Sequence, residues 1–367
     1  MEFKKHKLGE FIDSISDTTP ILKENVILIN TSDVENGETL NHKYVENKNL
    51  KGQFKKRFKK GDILYSEIRP KNKRFAFIDF DANDYIASTK LMVLRNKGNI
   101  DNDFLFQILK SDTVIDYLQM IAESRSGTFP QITFNELSNM EINIPDMQSQ
   151  IKISNFLKQI DNKIKINNQI NDNLYNLAFA IYKNQFQFTG QSDCCIGNYV
   201  LPKRGKNLLS RDAILGNVPV VAGGIEASTY HNVSNTKAPV ITISASGANA
   251  GYVNLWDVPV WSSDSSYIDS DITDSVYFWY VTLKTRQKEI FEAQTGSAQA
   301  HIYPQHIAEL QINKLNMDDI ANYEKEVKPF FKMIGQNKKE NKYLDQLRDT
   351  LLPKLMNGEI DLYKIEI

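Results

Sequence analysis

Catalysis needs a nucleophile, a proton shuttle or a caged metal, and the 367-residue sequence has three places to look for one. Asp318 and Asp319, followed by Glu326-Val327-Lys328, spell the carboxylates and lysine of a metal-dependent nuclease. That text lies inside a run with helical apolar spacing, where a surface ion pair explains a neighbouring Glu and Lys equally well. Ser244-Ala245-Ser246-Gly247 with Gly251 hints at a phosphate cradle, but no Lys-Ser/Thr follows it as a P-loop requires. The only cysteines, Cys194 and Cys195, are neighbours; they can make no disulfide framework and lack the spacing of a zinc site. There is no GxSxG elbow, no HExxH helix and no aromatic Asn-Pro-Pro signature of a methyltransferase. The chain is expected to be catalytically silent, with no metal and no cofactor of its own.

Bulk properties narrow the field further. Lysine and arginine total 44 against 45 acidic residues, so any site for a polyanion must be local. Apolar residues make up 41% of the chain, enough for two or three ordinary cores. The start, MEFKKHKLGEFIDSI, has no apolar signal region, and no run is long enough to span a bilayer. A cytoplasmic protein is expected.

The elements that would position a site come in two copies. GTFPQITFNELSNMEIN (127–143) is echoed by GSAQAHIYPQHIAELQI (296–312). At an offset of 170 residues the echo continues: Ile160 falls on Phe330, Ile164 on Ile334, Asn167 on Asn337, Asn171 on Asn341, Leu174 on Leu344, Leu177 on Leu347 and Ile181 on Leu351. Steps of three and four place each set on one helical face, predicting two long amphipathic helices over about 151–186 and 318–357. Two matched stripes can bury each other as a coiled coil, and an Asn within such a seam rejects wrong registers. The stretches 1–145 and 190–312 hold short β-branched and aromatic runs punctuated by Gly, Asn and Pro, among them VILIN (26–30), GDILYSEI (61–68), APVITISASG (238–247) and GYVNLW (251–256). Each block then carries a helical piece, 103–122 or 275–293, just before the echoed loop. The expected architecture is α+β: a mostly β domain at 1–148, a helix at 149–189, a second mostly β domain at 190–315, and a helix with tail at 316–367. The blocks align loosely, with Arg69–Arg74 opposite Ser246–Gly251 and Ala87-Ser88-Thr89 near Ser262-Ser263-Asp264. A constant frame with a rewritten loop suits two different recognition surfaces.

With those residues in view, the segment 218–268 resembles a target recognition domain of the DNA specificity subunits of type I restriction-modification systems. GSAQAHIYPQHIAELQI with LRDTLLPKLMNGEI (347–360) is similar to that family's second shared helical region, and GTFPQITFNELSNMEINIP with the helix to Phe186 to its first. The resemblance implies two recognition domains related by a pseudo-twofold and held apart by antiparallel helices. Each would touch one short DNA site, at a separation near one helical turn, about 34 Å. Because the units differ in sequence, the target would be bipartite and asymmetric. It also implies partners: two methyltransferase subunits carrying S-adenosylmethionine, restriction subunits, and duplex DNA.

On that reading, base edges need forked or amide side chains. The candidates in the first unit are Arg69, Lys71, Lys73, Arg74 and Lys90. In the second they are Arg204, Tyr230, Ser246, Asn249 and Ser263, with Gln299 and His301 beside the shared loop. The echoed loops, Arg125-Ser126-Gly127-Thr128 and Thr295-Gly296-Ser297, offer small hydroxyls and open backbone N–H groups for phosphate. KGQFKKRFKK (51–60) reads either as a phosphate-gripping patch or as a charged edge strand that guards against aggregation. Two other functions stay open: a nuclease or methyltransferase half with its own active site, and an interaction scaffold that binds no DNA.

Overall fold

The computed structural model describes residues 3–125, 128–186, 193–295, 300–356 and 358–362, and the chain divides into two compact units. The first comprises residues 1–164 with 341–367, the second residues 165–340.

The first unit begins by closing on itself: Phe3–Lys7 pairs antiparallel with Glu141–Pro145. Two four-stranded sheets follow. One runs Tyr44–Glu46, Asn25–Ile29, Tyr85–Ser88, Phe54–Lys56; the other Ile12–Ile15, Leu91–Asn96, Ile63–Ser66, Phe75–Phe77. The central strands of the second sheet are apolar on both faces, because both faces are covered. Leu64, Leu91 and Val93 join Ile27, Ile29 and Ala87 in one core, while Ile63, Tyr65, Met92 and Leu94 pack under Phe104, Leu105 and Ile108 in another. The helical run expected at 103–122 is two helices, Asn102–Leu109 and Asp112–Arg125. Phe54–Lys56 stands at a sheet edge, so the structure favours the edge-strand reading for that part of the basic cluster. There Lys56 Nζ turns inward and donates to Thr89 O (3.0 Å) and Leu91 O (2.8 Å).

The second unit repeats this frame with less mass. Lys203–Arg204, Ser265–Asp269, Val240–Ser244 and Val253–Trp256 form one sheet; Thr229–His231, Val218–Val221 and Trp261–Ser262 form the other. The helix Val276–Thr285, buried from Val276 to Leu283, covers Ile241, Ile243, Val253 and Ile268. Its opening N–H groups are satisfied from far along the chain: Glu324 accepts from Phe278 N–H (2.8 Å) and Tyr277 N–H (3.4 Å).

The long helices span Met147–Gln185 and Met317–Met356. In the first unit Ile153 and Leu157 share a core with Leu352, Leu355 and Leu362, and Asp161 binds Lys110 Nζ (2.5 Å) and Arg348 Nη1 (3.1 Å). In the second unit the helices run antiparallel: Tyr323 donates to Ala178 O (2.9 Å), and Asn337 Nδ2 donates to Asn171 Oδ1 (2.9 Å). Asn167 donates to Glu340 (2.7 Å). Ile160, Asn167, Asn171, Ile334 and Asn341 are buried; Ile164, Leu174, Ile181, Phe330, Asn337, Leu344 and Leu351 are half-buried. Leu177 and Leu347 are a correction. Each is 46% exposed, because the buried stripe runs beside it, through Ala178 and Tyr182 in the first helix and Leu352 and Leu355 in the second.

Both units also share a glycine the sequence reading passed over. A Cβ on Gly9 would lie 2.9 Å from Ser138 Cβ and 3.1 Å from Ser138 O, and one on Gly197 would lie 3.0 Å from Ala308 Cβ and 3.1 Å from Ala308 O. LGE (8–10) and IGN (196–198) are therefore the same short turn, packed in each unit on the helix that follows the echoed loop.

Candidate nucleic-acid interface

One loop slot recurs in the two units with the same backbone and different side chains. Glu67 N–H donates to Lys90 O (3.1 Å) and Ile132 N–H to Glu67 O (2.9 Å) in the first; Ala245 N–H donates to Asp264 O (3.1 Å) and Ile302 N–H to Ala245 O (2.9 Å) in the second. Ile68 bridges Gln131 as Ser246 bridges His301. These bonds place Lys90 opposite Asp264, one residue away from the sequence alignment, which set Thr89 there. A register shift between Ala87 and Ser88 in the first unit is the local irregularity that text alone does not display.

The loop above the slot crosses into left-handed backbone twice. Gly247 (φ +79°) and Gly251 (φ +84°) take those positions in the second unit, while Arg69 (φ +45°) and Lys73 (φ +51°) take them in the first. A side chain there costs about 1–2 kcal/mol that glycine does not. The first unit thus holds two basic residues in the conformation that the second gives to glycine.

The candidates then sort by what they touch. Arg69 is exposed; its backbone N–H reaches Pro130 O (3.1 Å) and its guanidinium only grazes Thr128 O (3.5 Å). Lys90 donates to Gln131 Oε1 (3.2 Å) at the slot's mouth, with Glu67 at 3.9 Å. Lys71 and Lys73 lean on the acids of the following helix, Asp116 (3.3 Å) and Asp112 (2.8 Å). Arg74 turns back onto Ser32 O and Val34 O (both 3.4 Å) and Glu35 (3.3 Å), which makes it a brace for its own loop. Arg125 is paired with Glu136. In the second unit Arg204 binds Asp264, whose other carboxylate oxygen takes the Ser246 hydroxyl. Tyr230 is 44% exposed on its strand, and Asn249 sits half-buried in the loop. Thr295 and His301 exchange both backbone bonds (3.0 and 2.8 Å). Ser263 is a correction: it is 3% exposed and its Oγ accepts Leu208 N–H (3.0 Å), so it orders a neighbouring segment from inside. Ser126, Gly127, Gly296, Ser297 and Gln299 lie outside the described residues. The sequence reading missed Gln131, Asp264 and Tyr303, whose roles come from pairings many residues apart.

The texts that suggested catalysis dissolve into structure. Asp318, Asp319, Glu326 and Lys328 are exposed on the second long helix, and Val327 between them is fully buried. Ser244 gives its hydroxyl to Ala222 O (3.3 Å) and Gly224 O (3.2 Å). Among the described residues no group of His, Cys, Asp and Glu could hold a metal ion, and the two cysteines form no disulfide.

A duplicated frame that keeps its hydrogen bonds while exchanging the side chains at its mouth defines a protein built for recognition. Comparison with known proteins agrees. A model of the type I restriction modification DNA specificity domain matches residues 1–176. The type I restriction enzyme HindI specificity subunit of Haemophilus influenzae is 30% identical, over 98% of this chain and 100% of that one. The MjaIX specificity subunit of Methanocaldococcus jannaschii is 24% identical, over 83% of this chain and 78% of its own. The crystal structure of a type I restriction-modification S subunit from M. genitalium shares the fold, with a TM-score of 0.57 at 19% identity, covering 97% of this chain and 96% of that one. The chain belongs to the family of type I restriction-modification specificity subunits.

Proposed function

We propose that this chain reads a bipartite, asymmetric DNA sequence, one half with each unit, for a type I restriction-modification complex. It supplies the sequence specificity and leaves methyl transfer and cleavage to the methyltransferase and restriction subunits it assembles with. The observation that carries the reading is the recurrent slot: one backbone, with Arg69, Lys90 and Gln131 at its mouth in one unit and Gly247, Asp264 and His301 in the other. Different donors and acceptors in equivalent places require different base edges. Two methyltransferase subunits per chain is the stoichiometry that a doubled helical frame supports, and S-adenosylmethionine belongs to those partners in this reading. The cytoplasm, where the cell's DNA lies, is the compartment it requires; no described helix is long and apolar enough to cross a membrane.

The test is to assemble the chain with its methyltransferase subunits and map methylated adenines across a genome. Two fixed half-sites of unlike sequence are expected, and Lys90→Ala should relax base preference in one of them only. Equal relaxation in both, or methylation with no fixed motif, would refute the assignment. Affinity for duplex should fall steeply with salt, with a log–log slope that reports the phosphates contacted.

A further inference from the structure

We propose that Asp264 is a positioning residue that fixes Arg204 to read one guanine in the half-site recognised by the second unit. Arg204 lies on the short strand Lys203–Arg204, paired with Tyr267 and Ser266. Asp264 Oδ1 takes its Nη2 at 2.6 Å, and the ring centroid of Tyr303 stands 6.0 Å from its Cζ. Asp264 is itself held: its second oxygen accepts the Ser246 hydroxyl and its backbone oxygen accepts Ala245 N–H (3.1 Å). The guanidinium is thus gripped by one amino group and flanked by one ring, and Arg204 remains 40% exposed at its side chain. Asp264 occupies one Nη2 N–H, so one edge of the guanidinium, Nε with Nη2 or Nη1 with Nη2, keeps two parallel N–H groups with no partner among the described residues. Such a fork matches the N7 and O6 of guanine, and the ordering cost of a long side chain is met before DNA arrives.

The charge inversion at this slot supports the assignment. A carboxylate at a DNA-facing surface repels phosphate, so its presence where the first unit has Lys90 needs a local reason. Holding a cation in place is the reason the geometry offers. It also separates two roles that a basic residue alone would merge, since Asp264 lowers general attraction to DNA while sharpening the choice of base.

This inference rests on the DNA-reading function proposed above. Its test uses the full chain assembled with its methyltransferase subunits and a pool of duplexes randomised through both half-sites. Arg204→Ala should cost about ten- to a hundredfold in preference at a single guanine·cytosine pair, with the other half-site unchanged. Asp264→Asn should relax preference at that same pair while affinity for unrelated duplex stays level or rises, an outcome that simple loss of structure does not produce. Ser246→Ala, which touches only the support, should give a smaller loss at the same position. If Asp264→Asn leaves the preference intact, or relaxes a different pair from Arg204→Ala, the positioning role is wrong. If the unaltered complex shows no preference anywhere, the parent reading has failed instead. Should Asp264→Asn not assemble, Ser246→Ala and Arg204→Ala decide: preference at that guanine·cytosine pair left unchanged by both would overturn the proposal.

Discussion

Arg69 concentrates the tension between stability and function in one residue. Its φ of +45° sits where the equivalent residue of the second unit is Gly247. Arg69→Gly removes the steric cost of the left-handed backbone, about 1–2 kcal/mol, and adds unfolded-chain entropy of about 0.5–1 kcal/mol. The expected result is a melting temperature equal to or slightly above that of the unaltered chain, together with loss of base preference in the first half-site. A variant less stable by more than about 1 kcal/mol would show that the arginine side chain is structural. Residues of this kind were half legible. Arg69 stood out as a basic residue in a rewritten loop and Lys90 as a basic candidate after the next strand, but a left-handed φ and an Asp264 bound to Arg204 across sixty positions of chain leave no mark on periodicity.

Among the elements, the helix Val276–Thr285 lacks local support at its start, since its N-cap residue Ser275 gives no side-chain hydrogen bond. Glu324 caps it from the second long helix, and burial pushes that carboxyl up to about 7, against the two backbone N–H groups that favour its charge. The unfolded chain ionises near the ordinary 4.5, so the folded state holds the proton longer. Stability from this group is full below that ordinary value and is lost as pH rises through about 7, by roughly 3 kcal/mol at most. Glu324→Gln keeps one acceptor and cannot ionise. Between about pH 5 and pH 8 its thermal stability should therefore decline less than that of the unaltered chain; matching declines would remove Glu324 as the cause. The long helices were legible to within a few residues because three- and four-residue apolar steps persist over their length. The break at Lys110-Ser111 and the cap at Glu324 were not, since both depend on what the neighbouring sheet allows.

For the molecule as a whole, the repeat was the most legible feature. An offset of 170 carried by apolar positions and paired Asn survives changes in every loop, because packing constrains it in both copies. The recognition residues were least legible for the same reason: loops are where the copies are free to differ. If the matched helices set the distance between half-sites, inserting one turn's worth of residues at equivalent points in both should change the number of unread base pairs and leave the two read sequences as they were. Methylation mapping of the altered complex measures both quantities, and an unchanged gap would separate the helices from the spacing.

The first unit is discontinuous. Leu352, Leu355 and Leu362 complete a core otherwise built from residues 8–157, whereas residues 165–340 make the second unit from one stretch. During synthesis this core cannot be completed until Leu352, Leu355 and Leu362 are made, and in the chain they follow the whole of the second unit. A chain cut short before Leu352 would therefore hold every residue of the second unit and lack three core residues of the first.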